Sequence, residues 1–224
     1  MSIFKNIKRE IVTQKFSKDF DNLIKSGKAK RFDEEFFNSF DGMYYNALPV
    51  SYYLKRMSMG HCYDASAILG LAMGKDCFVC RGNLANMACI QGDDDFEHGW
   101  VEKDDKVFDT TWQVVMQTQD YYKLFGVDSV CRREHTKFFE DCKEISCFEI
   151  HDKKYYEENY IPFARESVML ARTGELMKLE YLPKDNVEER IECESILNKL
   201  PDLDLMPRVS MEDFNTLHVS LLQN

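Results

Sequence analysis

The sequence predicts an α+β fold, and the predictor is a change of texture along the chain. Residues 1–58 and 118–224 read as mainly helical, and 3–24 place apolar side chains mostly at steps of three and four, the spacing of a helix with one buried face. Between them, residues 59–117 hold one short apolar helix followed by runs such as "CFVCRGNLANMACI", "FEHGWVEK" and "KVFDTTWQVV". These runs are separated by the turn-rich "QGDDD" and "KDDK", the punctuation of a strand meander. With 224 residues, 44% of them hydrophobic, the chain is long enough for one core of ordinary size and leaves room for a second small helical lobe. It is expected to be a single domain over 1–224, with a helical part at each end of a mixed centre.

Taken in order, Ile3, Phe4, Ile7, Ile11, Phe16, Phe20, Leu23 and Ile24 define a first helix that "SGK" ends. "RFDEEFFNSF" reads as a second helix stopped at Asp41-Gly42, and "SYYLKRM" as a third after Pro49. A fourth starts at Cys62, buries Ala65, Ile68, Leu69 and Ala72, and stops at Gly74, where a left-handed cap belongs. The strand runs follow from Cys77. Beyond Gln117 come the helical segments "QDYYKLF", "YYEENYIPFARESVMLARTGEL", "NVEERIECESILNKL" and "MEDFNTLHVSLL", with a strand candidate "SCFEI" among them.

The formal charge of −10 comes from acids spread along the chain, and the basic clusters are no longer than "KRE" and "CRRE". That balance argues against nucleic acid and anionic membrane as partners. The first residues carry charges every few positions in place of the apolar run of a signal peptide, and no stretch approaches a membrane span. The eight Cys are irregularly spaced, which reads as free thiols and makes the cytoplasm the expected compartment.

Among those thiols, Cys62 falls in the first turn of its helix, where unpaired N–H groups and the positive end of the helix favour an anion. A nucleophile there needs a base, and the base an orienter. The segment "FEHGWVEKDDKVFDTTW" supplies both. If 96–102 and 107–112 pair as a hairpin, a turn at Lys103-Asp104 sets His98 directly opposite Asp109. A turn at Asp104-Asp105 makes the pair diagonal. Either way the two side chains share a face, with Cβ atoms about 5 Å or roughly 7 Å apart. A three-residue loop with a bulge would break this parity. Asp109 is then placed to hold one ring nitrogen of His98, fixing its tautomer and stabilising the imidazolium.

The quoted stretches "GHCYDASAI", "HGWVE" and "VFDTTW" resemble the transglutaminase-like core of the papain-like cysteine hydrolase superfamily. The family pattern is a Cys at a helix start, a strand with His-x-Trp, and a neighbouring strand with Asp before a small turn. The resemblance runs from Cys62 to Trp112. It implies a papain-like/transglutaminase-like core, with the Cys-bearing helix packed on a small antiparallel sheet and extra helices at both termini. It also implies catalytic roles for Cys62, His98 and Asp109 on a peptide, isopeptide or amide bond, a peptide or protein substrate, and no cofactor. Papain-like peptidases carry an oxyanion-stabilising Gln shortly before the Cys; this chain has none there, which leaves Tyr52, Tyr53 and Asn46 as candidates for that place.

Other residues receive plainer readings. Adjacent helical side chains diverge by about 100°, so His61 is a cleft-edge or surface residue and not the partner of Cys62. Trp100 is expected to pack beside the imidazole and Trp112 in the core. Cys77 and Cys80, with Cys131 and His135 or Cys142 and Cys147, are weighed as a zinc knuckle, but strand positions three apart point to opposite faces, and no metal is expected. Turn chemistry accounts for the acidic residues at 93–95 and 104–105. Two further function classes stay open beside the cysteine hydrolase or acyltransferase. One is a catalytically idle binding or scaffold protein of the same fold. The other is an acyl-CoA-dependent amine acetyltransferase, which uses the same three residue types, although the chain offers no evident basic or glycine-rich phosphate site.

Overall fold

The computed structural model describes residues 3–56, 61–141, 149–159 and 164–206. In chain order the elements are α1 (Ile3–Lys25), β1 (Ala29–Arg31), α2 (Glu34–Asn38), β2 (Tyr44–Tyr45), β3 (Leu48–Pro49), α3 (Val50–Arg56), α4 (Cys62–Met73), β4 (Phe78–Leu84), α5 (Ala85–Gln91), β5 (Glu97–Lys103), β6 (Lys106–Asp109), β7 (Val114–Gln117), α6 (Thr118–Phe125), β8 (Val127–Glu134), α7 (His135–Asp141), α8 (Lys153–Glu158), α9 (Ala164–Tyr181) and α10 (Val187–Lys199). Helices and an antiparallel sheet make this an α+β fold. Its contacts divide the chain into two compact units, Met1–Ser39 with Leu54–Asp141, and Phe40–Tyr53 with Cys142–Asn224.

The first unit is built on a six-stranded sheet in the order β1-β7-β6-β5-β4-β8, with every neighbouring pair antiparallel. Alternation along β5 sends His98, Trp100 and Glu102 to one face and Gly99, Val101 and Lys103 to the other. On the first face Trp100, Cys80, Leu84, Val107, Val114 and Met116 form a core with Tyr121, Leu124 and Phe125 of α6 and Met87 of α5. The second half of α1 lays Phe16, Phe20, Leu23 and Ile24 against the same core, while Ile7 and Ile11, assigned to the same stripe, are exposed.

Helix α4 covers the second face. Two glycines set how close it comes. A methyl group at Gly70 would stand 2.8 Å from Val79 Cγ2, and one at Gly99 would stand 2.8 Å from Ser66 Oγ, 2.9 Å from Tyr63 Cδ1 and 3.1 Å from the Cys62 carbonyl oxygen. At each contact one of the two backbones lacks a side chain, the helix at Gly70 and the strand at Gly99, and the other element's side chains fill the space.

The β5–β6 hairpin turns at Asp104-Asp105: Lys103 pairs with Lys106, and the two aspartates have φ of 51° and 58°. Paired left-handed residues make the tight turn whose twist suits a two-residue hairpin, and Asp tolerates that conformation better than most side chains.

In the second unit, β2 and β3 pair through a turn at Asn46-Ala47, and Tyr44 forms an isolated bridge with His151. Asp152 caps α8 by accepting from the Tyr155 N–H at 2.8 Å. Arg190 of α10 donates to the carbonyls of Leu179 and Leu182, tying that helix to the end of α9.

Several elements depart from the sequence reading. The run "CFVCRGNLANMACI" is only half strand, because the chain turns into α5 after Leu84. "KVFDTTWQVV" is two strands, split by a turn over 110–113. The stretch "RFDEEFFNSF" yields helix only from Glu34, capped by Asp33, while Ala29–Arg31 joins the sheet edge as β1. β8 falls where helices were expected; it lies at the other sheet edge with an almost wholly exposed surface, so it carries no apolar alternation. In α4, Ala72 is half-buried, while Ser66, Ala67 and Gly70 join the buried set. "MEDFNTLHVSLL" and most of "SCFEI" lie outside the described residues, as do Cys142 and Cys147. Among the described residues no helix is long and apolar enough to cross a membrane.

Candidate active site

Cys62 is the first residue of α4, and the first intrahelical bond runs from Ala65 N–H to His61 O at 2.9 Å. The N–H groups of Cys62, Tyr63 and Asp64 thus have no acceptor within the helix, and the His61 side chain does not cap them. They gather partial positive charge around a sulfur that is itself buried, at 7% exposure.

His98 and Asp109 meet on the Trp100 face of the sheet. Continuing the observed register sets Asp109 across from Trp100 and makes the His98–Asp109 pair a diagonal. Nε2 of His98 and Oδ2 of Asp109 are 2.9 Å apart, and both residues are almost wholly buried. Because a carboxylate only accepts, Nε2 carries the hydrogen, which leaves Nδ1 for Cys62. The other oxygen, Oδ1, accepts from the N–H groups of Thr111 at 2.9 Å and Trp112 at 3.2 Å, so the turn following β6 grips the carboxylate.

A fourth residue completes the row. The hydroxyl of Tyr121, fully buried in α6, donates to the same Oδ2 at 2.6 Å. "QDYYKLF" signals a helix with a buried aromatic face, but a tyrosine's polar end reveals its partner only in three dimensions; the one available signal was that a buried hydroxyl needs an acceptor.

Cys62 approaches where the β5–β6 pairing stops. β5 pairs with β4 from Glu97 onward, whereas β6 follows β5 only as far as Val101, so beside His98 and Gly99 the β6 side of the strand is open. The start of α4 rests on Gly99 at this gap. There His98 and the Gly99 N–H act on the thiol and favour its anion. Burial would by itself raise the Cys62 pKa, but the His98 hydrogen bond and charge, with the Gly99 N–H, bring it below the usual 9.0. Burial would likewise lower His98, yet the Asp109 carboxylate and the thiol lift it from 6.5 to about 9. The two shifts favour thiolate facing imidazolium. Other buried thiols go the opposite way: desolvation pushes Cys77 up to about 11 and raises Cys80 as well.

The surroundings redistribute the two tryptophans. Trp112 is closer to the imidazole, edge-on with ring centroids 4.8 Å apart, and it also meets Phe125 at 4.7 Å. Trp100 lies parallel to the ring at 6.4 Å, with its Nε1 held by Glu102. Outside, Tyr63 hydrogen-bonds Glu97 at 3.0 Å while Arg81 pairs with Glu97 and sits over the Tyr63 ring, joining the neighbour of Cys62 to the neighbour of His98. His61 is exposed, 3.7 Å from Asp64. Of the oxyanion candidates, the Tyr53 hydroxyl donates to the Tyr45 carbonyl, and Asn46 offers its backbone N–H to Tyr156; with Tyr52 they belong to the second unit.

Cys77 donates to the carbonyls of Gly70 and Gly74, and Cys80 and Cys131 lie on opposite faces of the sheet, since Arg81 pairs with Cys131. Among the described residues no three His, Cys, Asp or Glu side chains gather as a metal site. No protein-family model, curated protein or solved structure matches this chain. Chemically, the site offers a polarised thiol, a base that is also an acid, and a fixed carboxylate behind it.

Proposed function

We propose that this protein is a cysteine-dependent hydrolase or acyltransferase with a papain-like/transglutaminase-like core, acting on a peptide, isopeptide or amide bond. The observation that carries the reading is the continuous row Cys62–His98–Asp109, in which the thiol is shifted down and the imidazole up. The Cys62 thiolate attacks the carbonyl carbon, and the carbonyl π electrons move to oxygen. That oxyanion faces the free N–H groups of the first turn of α4, an arrangement that stabilises charge developing in the transition state. The imidazolium gives its Nδ1 proton to the leaving nitrogen as the C–N bond breaks, and a thioester remains on Cys62. Neutral His98 then takes a proton from water, or from an acceptor amine, whose attack expels the thiolate. Asp109 holds the ring throughout without being protonated.

The test is labelling of the folded chain with a thiol-directed electrophile at mildly acidic pH. Cys62 is expected to react well ahead of the other seven cysteines, and equal labelling would favour the idle scaffold. Given selective labelling, acetyl-CoA with an arylamine separates an acetyltransferase from a hydrolase. Mass spectrometry of cell extract incubated with the protein or its Cys62→Ala variant then identifies the bond that is cut or exchanged.

A further inference from the structure

We infer that Tyr121 is a positioning residue of this site, its hydroxyl regulating through Asp109 Oδ2 how firmly the imidazolium of His98 is held. The inference rests on the cysteine-hydrolase reading and deepens it.

Asp109 accepts four hydrogen bonds, two on each oxygen: Thr111 and Trp112 N–H on Oδ1, His98 and Tyr121 on Oδ2. A carboxylate has about four acceptor sites, so the set is full. The backbone pair fixes the plane of the carboxylate, and rotation toward or away from His98 would break it. Tyr121 and His98 then divide the charge on one oxygen, and the shorter bond, at 2.6 Å, belongs to the tyrosine. With Asp109 and Tyr121 fully buried and His98 nearly so, water has no access to replace the hydroxyl. Its ring is held independently by Phe125 at 4.4 Å and Trp100 at 5.5 Å, so the Tyr121→Phe variant keeps the packing and loses only the donor.

The sign follows from the geometry. Without the hydroxyl, Oδ2 concentrates its charge on Nε2–H, the imidazolium is stabilised further, and both the thiolate and the imidazolium persist over a wider pH range. The titratable groups facing this pair are Cys62 from α4, Asp109 from β6, Cys80 from β4 and Tyr121 from α6, while β7 presents Val114 and the 110–113 turn presents Trp112. Glu102, the remaining acid on this face of β5, is occupied by Trp100, Tyr122 and Arg132.

The experiment follows alkylation of Cys62 by iodoacetamide against pH in the full chain, its Tyr121→Phe variant, the Asp109→Asn variant and the double variant. The step caused by His98 deprotonation is expected to move up by about half a pH unit in Tyr121→Phe, roughly a threefold change in the dissociation constant. It is expected not to move further when Tyr121→Phe is added to Asp109→Asn, because the carboxylate that transmits the effect is gone. A step that stays in place or moves down in folded Tyr121→Phe overturns the inference, as does an equal shift on the Asp109→Asn background. If Cys62 of the unaltered chain is not selectively labelled, the functional reading itself falls.

Should Tyr121→Phe not fold, the unaltered chain supplies the readout by proton magnetic resonance. Alkylating Cys62 discharges the imidazolium, Oδ2 returns to the tyrosine, and the Tyr121 hydroxyl proton is expected to move downfield. An unmoved resonance overturns the inference.

Discussion

His98 Nε2 stands 2.9 Å from Asp109 Oδ2 across a diagonal of the β5–β6 hairpin, whose register, continued one pair past Val101–Phe108, sets Trp100 opposite the aspartate. A diagonal spans more than a direct pair, and the bond forms because the imidazole is long and the carboxylate is aimed by the turn beyond it. The hairpin thus delivers the contact, and the 110–113 turn gives it direction.

Asp109→Asn tests the charge alone. The amide keeps the shape but loses the anion that, together with the thiol, lifts His98 from 6.5 to about 9, and it has one acceptor oxygen to offer where two are used. Cys62 alkylation at mildly acidic pH is expected to fall about tenfold or more, the equivalent of one pKa unit lost from the ion pair. Strongly alkaline pH, where any thiol ionises, is expected to restore the rate. Rate profiles against pH for the two proteins check this.

A second prediction concerns stability. His98 titrates higher folded than unfolded, so its ion pair with Asp109 contributes stability in full below pH 6.5, and the contribution disappears as pH rises through about 9. Cys62, shifted down, runs the other way and loses its contribution as pH falls. On a Cys62→Ala background the thiol is removed and the Asp109 contribution remains. The gap in urea midpoint between that protein and its additional His98→Gln variant is expected to be widest below pH 6.5 and to close as pH rises, earlier than in the unaltered chain because the thiol's share of the lift on His98 is gone.

Much of this site is legible in the sequence because its determinants are local. A cysteine at a helix start is marked by the apolar stripe that follows it, and strand alternation keeps His98 and Asp109 on one face for either two-residue turn. Asp104-Asp105 makes that turn because both residues accept left-handed φ. The illegible parts depend on distant partners. β8 is polar and exposed and becomes a strand only because β4 offers an edge. α5 follows β4 inside one apolar run, where periodicity alone does not separate strand from helix. The role of Tyr121 needs the sheet and α6 packed together, and the closeness of Trp112 to the imidazole needs the turn that Asp109 itself pins.

Glu102 anchors a second buried network on the same sheet face, accepting from Trp100 Nε1 at 3.0 Å, the Tyr122 hydroxyl at 2.7 Å and Arg132 Nε at 2.7 Å. Glu102→Met would strand the indole N–H of fully buried Trp100 and leave the half-buried Tyr122 phenol without this acceptor. A loss of about 2 to 4 kcal/mol is expected, read from urea unfolding, because orphaned buried donors keep their full desolvation penalty. An Arg132→Ala change, which removes a half-exposed partner, is expected to cost less.

Gly99 and Gly70 separate the placement of the Cys62 thiol from general packing. A methyl group at Gly99 would meet two side-chain atoms, Ser66 Oγ and Tyr63 Cδ1, which can swing, and the Cys62 carbonyl at 3.1 Å, which cannot. The first turn of α4 must then lift from the strand, taking the sulfur from His98 and from the Gly99 N–H. At Gly70 the methyl group meets Val79 Cγ2 at 2.8 Å, two turns further along the helix. Both Gly→Ala variants are expected to lose about 1 to 3 kcal/mol, the usual cost of overpacking. Only Gly99→Ala is expected to slow Cys62 alkylation at neutral pH, while Gly70→Ala alkylates at the native rate. Equal rates in both variants would show that contact with Gly99 does not set the position of the thiol.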